Sequence, residues 1–145
     1  MSPKGNRHEI VRDELQDFII QRLPREARIS SEIGWRPDPH AYLEPDILLY
    51  PRGFIGNSVP PAEVLLLIEV ADTSLAYDNG LKAKIYATLG VREYWVVNAK
   101  TLETTVHRGP EGENYSDIRC VDKADAVTPT LLPALGLSLG ALKVE

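Results

Sequence analysis

Apolar positions along the chain change their period several times, and each change marks an element. From about Asn6 to Leu23, Ile10, Leu15, Phe18, Ile19 and Leu23 recur near helical spacing and Pro24 ends the run, which predicts a first helix. From Arg28 to Trp35 the apolar residues Ile29, Ile33 and Trp35 hold alternate positions, the period of a strand. Pro37 to Pro45, rich in Pro and Asp, reads as a loop. Ile47 to Tyr50 is a short apolar run predicting a second strand, and Pro51 to Pro61, with three prolines and two glycines, reads as another loop.

Val64 to Val70 (VLLLIEV) is the most hydrophobic stretch, and its continuous apolarity predicts a central strand covered on both faces. Asp72 to Tyr77 connects it to a helix over Asp78 to Leu89, stopped by Gly90. Glu93 to Asn98 (EYWVVN) predicts another buried strand. Thr104 to Arg108 and Tyr115 to Val121 predict a hairpin across Gly109 to Asn114, and the apolar tail Leu131 to Leu142 docks as a short helix or strand. The order predicts an α/β fold: a mixed central sheet flanked by helices, with a short C-terminal β extension, as one domain over residues 1–145.

Composition narrows the classes. With 43% hydrophobic and 26% charged residues the chain is an ordinary globular one, and no apolar run nears the roughly 20 residues of a membrane span. The polar start, Met1 to His8, carries no signal-peptide pattern, so a cytoplasmic location is the expectation. A lone Cys120 excludes an internal disulfide and a multi-cysteine zinc site, and its strand-like surroundings predict a buried thiol. His8, His40 and His107 show no metal-ligand spacing. The net charge of −5 argues against binding nucleic acid through overall charge. Its distribution is uneven: Asp38 to Asp78 holds seven acids and one base, Arg52.

Among these acids Glu69 is the anomaly, because it lies inside a strongly apolar strand and a desolvated carboxylate needs a partner. Asp46 is similar, placed just before Ile47-Leu48-Leu49. If the two strands are neighbours, both carboxylates meet at one edge of the sheet, and oxygen ligands of this kind suit Mg²⁺ or Mn²⁺. On the second helix Asp78, Lys82, Ile85 and Leu89 share a face, which carries Lys82 toward the core side and leaves Lys84 solvated. Asp78 reads as an N-cap or first-turn acid. Two carboxylates and a lysine around a hard divalent ion form a phosphodiesterase constellation. Glu32, on the first strand, is a candidate further ligand. Singly, each residue has an ordinary explanation: an Asx turn for Asp46, an Arg or amide partner for Glu69, a solvated position for Lys82. A buried Glu69–Lys82 ion pair with no catalytic role is the structural reading of the same set.

The stretch PDILLY…LLIEVADTSLAYDNGLKAKIYATLGVREYWVVNAKTLETTVHRGP resembles the Uma-type putative restriction endonuclease family, a branch of the PD-(D/E)XK nucleases. The ordered set Ile68-Glu69-Val70, Asp78, Lys82, Tyr86-Ala87, Gly90-Val91 and Glu93-Tyr94-Trp95 carries the likeness. It implies a restriction-endonuclease-like core and a Mg²⁺-dependent (or Mn²⁺-dependent) endonuclease acting on DNA. Asp46 and Glu69 match the acidic ligands, the backbone carbonyl of Val70 joins them, and Lys82 matches the catalytic lysine. In the commoner pattern that lysine lies two residues after the Glu, where this chain has Ala71. Members usually carry a strand before the first helix, and this sequence starts almost at that helix. That difference and the acidic charge motivate the alternative: a non-catalytic nucleic-acid-binding or protein-interaction module that keeps the nuclease fold. A homodimer through Trp35, Tyr42 and Phe54 is a further expectation.

Overall fold

The computed structural model describes residues 5–144. A helix α1 (Gly5–Arg22) is followed by β1 (Ala27–Ser31), the small hairpin β2 (Trp35–Asp38) and β3 (Ala41–Leu43), and β4 (Ile47–Pro51). Then come β5 (Leu66–Ala71), helices α2 (Leu75–Asn79) and α3 (Leu81–Leu89), and β6 (Glu93–Asn98). The chain ends with β7 (Thr104–Glu111), β8 (Asn114–Val121), and the short strands β9 (Ala126–Val127) and β10 (Leu137–Ser138), which pair with each other.

Six strands form the main sheet in the order β1-β4-β5-β6-β7-β8. All neighbours are antiparallel except β5 and β6, whose parallel pairing is made by the α2–α3 crossover. This is the mixed sheet that the hydrophobic pattern predicts. β5 explains it most directly: all six of its residues are buried. Leu66, Ile68 and Val70 pack against α1 and the C-terminal segment, while Leu67 and Ala71 pack on the α3 side. Alternation therefore turns Glu69 toward α3.

Several expectations need correction. The α1 stripe is Val11, Leu15 and Ile19, with His8 at its head; Ile10 is on the exposed side. The first strand stops at Ser31, because Glu32 takes a positive φ of 50°, and the loop expected from Pro37 contains β3. The second helix is two helices. At Gly80 the backbone turns sharply (φ −104°, ψ −97°), and a Cβ there would sit 2.8 Å from the Ala76 carbonyl oxygen, so only glycine allows the break. Asp78 thus lies in the first turn of α2, as a first-turn acid, and does not cap α3. Gly90 does end α3, in the left-handed region that glycine favours. The β7–β8 hairpin is longer than expected, pairing up to Glu111 and Asn114. Cys120 is exposed, and Trp35 is fully buried, its indole N–H donating to the Val59 carbonyl at 2.9 Å. Trp35 therefore cannot serve a subunit contact, while Tyr42 and Phe54 are exposed.

The C-terminal tail docks onto the sheet as expected. Buried Glu93 fastens it, accepting from the Trp95 indole (2.7 Å), Arg108 (3.0 Å) and the backbone N–H of Thr130 (2.9 Å). With donors on both oxygens, that carboxylate offsets its desolvation. Among the described residues no helix is long and apolar enough to cross a membrane.

Candidate active site

β4 and β5 run antiparallel, with Ile47 opposite Ile68. One residue further, at the end of that ladder, Asp46 comes opposite Glu69. Both side chains are buried. They hold each other's strand: Glu69 Oε1 accepts the Asp46 backbone N–H at 3.1 Å, and Asp46 Oδ2 accepts the Val70 N–H at 2.8 Å. Side chains thus continue the ladder where backbone pairing stops. The N–H and carbonyl of a strand residue share an edge, so the Val70 carbonyl faces the Asp46 side as well.

α3 supplies the third side of the site. Lys82 Nζ donates to Glu69 Oε2 at 2.7 Å, and the Tyr86 hydroxyl donates to the same oxygen at 2.8 Å. Lys82 and Tyr86 are four residues apart, one turn on the same face. Ala83, Tyr86 and Ala87 are the buried residues of α3, and Ile85 and Leu89 are only half-buried. The predicted face was therefore rotated by about one residue, roughly 100° of helix, yet it included Lys82; Lys84 is exposed as expected. The Tyr86 ring is wedged between Trp35 and Tyr94, with centroids at 6.5 and 4.8 Å, so its hydroxyl is firmly aimed.

Asp46, Glu69, Val70 and Lys82 line one pocket of about 220 Å³, with His8, Glu44, Asp72 and Asp78 around them. Burial, and then the charge of Asp46, pushes Glu69 up to about 7, against the lowering effect of Lys82 and Tyr86. Desolvation lowers the Lys82 amine, but Glu69, then Asp78 and Asp46, outweigh it and hold its pKa above the ordinary value. Asp78 is raised by burial and is held by the Ser74 hydroxyl at 2.8 Å.

The sequence reading missed two residues here. His8 Nε2 lies 3.1 Å from Asp46 Oδ1, and Tyr86 grips Glu69. Each had a signal: His8 precedes Val11 and Leu15 by three and seven residues, on the buried stripe of α1, and Tyr86 follows Lys82 by one turn. Glu32 stands apart. It does not line the pocket, and its carboxylate pairs with Arg12.

The donor set fits a hard divalent ion. Burial first, and then the charge of the facing Asp46, raises Glu69, and a cation between the two carboxylates would offset both effects. Among the described residues no three His, Cys, Asp or Glu side chains form a ready-made cage. Asp46 and Glu69 are the two facing carboxylates that would hold such an ion, which one or two carboxylates and several waters can hold.

A solved protein from Anabaena variabilis ATCC 29413, described as a putative nuclease belonging to DUF820, superposes on this chain with a TM-score of 0.69. The match covers 94% of this chain and 79% of that one at 19% identity, a likeness that speaks for the fold. A search of curated proteins finds no match. The Uma2 family, described as putative restriction endonucleases, matches residues 1–142, and the chain belongs to that family.

Proposed function

We propose that this protein is a divalent-metal-dependent endonuclease hydrolysing phosphodiester bonds of DNA, with Mg²⁺ or Mn²⁺ held by Asp46, Glu69 and the Val70 carbonyl. The observation that carries the reading is the meeting of Asp46, Glu69 and Lys82 at one pocket. The family description favours DNA over RNA as substrate.

A divalent ion bound there supplies Lewis-acid activation of a phosphoryl oxygen and of water. The chain's own residues do the rest. Asp46 and Glu69 present oxygens already oriented by backbone N–H groups. Lys82 carries a positive charge at neutral pH and offsets negative charge developing on the phosphate. Because Tyr86 donates to the same Glu69 oxygen, the amine can swing toward substrate without leaving that oxygen bare. His8 flanks Asp46 from the α1 side. The acidic lining of the pocket supports a cation-dependent reaction. Glu44, Asp46, Glu69, Asp72 and Asp78 repel a phosphate unless a cation reverses the local field.

A second reading, the nuclease fold kept without catalysis, is favoured by one fact: both Glu69 oxygens are already engaged. Incubation with plasmid DNA and Mg²⁺ or Mn²⁺ decides between them. The wild type is expected to nick and linearise the plasmid, and the Glu69→Ala variant to lose this. Equal background nicking by both proteins overturns the enzymatic reading.

A further inference from the structure

The two edges of the main sheet differ. β1 is five residues long, whereas β8 is eight, and among the described residues no further strand pairs with it. Most β8 side chains are exposed, and Ile118, in the middle of the strand, is 57% exposed. An open edge of this length offers its backbone groups to another strand. Charged side chains often blunt such an edge, but here one acid and one base sit symmetrically about an apolar centre. Asp117 and Arg119 flank Ile118 and pair with each other at 3.0 Å in the isolated chain.

We propose that β8 is the contact through which two copies of this chain pair, antiparallel, about a two-fold axis at Ile118. In that register Asp117 of each copy meets Arg119 of the other, and Ile118 meets Ile118. Ser116 meets Cys120 beyond them, so the central opposed pairs are compatible. Centring the axis on Asp117 or on Arg119 sets like charges directly opposite, which disfavours those registers. The ion pair made within one strand is exchanged for two made between strands. The interface is closed and self-complementary, as two-fold contacts are, and it continues the sheet across both copies. It does not use Trp35, Tyr42 or Phe54, of which Trp35 is buried. The inference is independent of the metal reading, because its test measures mass and proximity.

The full chain at micromolar concentration is expected to show twice the 16.1 kDa of one chain by light scattering. The Asp117→Arg variant is expected to show the mass of one chain, and the double variant Asp117→Arg/Arg119→Asp to return to two, with circular dichroism confirming that each is folded. Directly opposed residues in an antiparallel pair lie about 4.5–5.5 Å apart at Cα, within disulfide range. The Ile118→Cys variant in a Cys120→Ser background is therefore expected to cross-link between chains on mild oxidation. A wild-type mass of one chain overturns the proposal. So does a dimer whose Ile118→Cys variant fails to cross-link, because the contact then lies elsewhere. If the charge variant misfolds or disagrees with the cross-link, the cross-link decides.

Discussion

Replacing Glu69 by Gln keeps the side chain's shape and removes one buried charge, and the effect on stability depends on pH in a calculable way. Burial and Asp46 hold Glu69 at about 7, against an ordinary 4.5. Between those values the folded state keeps a proton that the unfolded chain has released. Stability contributed at this group is therefore fullest below about pH 4.5, falls as pH rises, and levels off above about pH 7. At about 1.4 kcal/mol per pH unit the gap is worth about 3 kcal/mol. The Glu69→Gln variant has no such loss, so relative to wild type it gains about 3 kcal/mol between acid and neutral pH, or about 10 °C in midpoint for a chain of this length. His107 acts oppositely: burial lowers its pKa, so the folded state binds fewer protons and stability rises with pH. That contribution, like the raised Asp78, is common to both proteins and cancels in the difference. The assay is urea denaturation in chelator at acid, intermediate and neutral pH, repeated at neutral pH with excess Mn²⁺. The ion is expected to restore the wild type by about 2.7 kcal/mol at a hundredfold excess over Kd, and to leave the variant little changed. Parallel stability curves for the two proteins across this range refute the reasoning.

Two further substitutions separate the donors on Glu69. Breaking a buried ion pair typically costs about 3–5 kcal/mol; Lys82 is partly exposed, and Glu69 keeps the Tyr86 hydroxyl and the Asp46 N–H. Lys82→Met is therefore expected to cost about 2 kcal/mol by urea denaturation, at the low end of what one charged hydrogen bond and its pair supply, and to abolish cleavage. A loss above about 4 kcal/mol would identify a structural ion pair instead. Tyr86→Phe keeps the ring stack and removes one hydrogen bond to a charged group, about 1.5 kcal/mol. Calorimetric titration is expected to show Mn²⁺ bound about tenfold more weakly, the equivalent of that energy, and unchanged affinity would show that Tyr86 does not orient the ligand.

The main sheet was legible because its strands are buried on both faces or end at strong turn signals. VLLLIEV and EYWVVN have no competing period, and both became neighbouring parallel strands. The errors cluster where a short-range rule met a tertiary constraint. The Gly80 break is the exception: its cause is local, the Ala76 carbonyl four residues earlier, but a lone glycine within a helical period does not announce it. Trp35 lies at the start of a short hairpin that composition alone makes a loop, yet its indole is buried against the Val59 carbonyl. Cys120 lies in a strand that, among the described residues, is paired on one side only, and strand pattern does not reveal which strand is the edge.

The candidate site divides along the same line. Asp46 and Glu69 stand out in sequence because a carboxylate in or beside an apolar strand is costly anywhere, whatever the fold. His8 and Tyr86 do not, because each is an ordinary member of a buried helical stripe until the helix is docked on the sheet. Glu32 fails for the complementary reason. Its strand position resembles that of Asp46, but the positive φ there turns the chain, and Arg12 of α1 takes the carboxylate. Strand parity accounts for the difference in physical terms. Glu69 is on the face of β5 that looks at α3, so a lysine and a tyrosine one helical turn apart converge on one oxygen. A shift of one residue in β5 would turn Glu69 into the α1 core, where Ile68 and Val70 now pack, and neither donor could reach it.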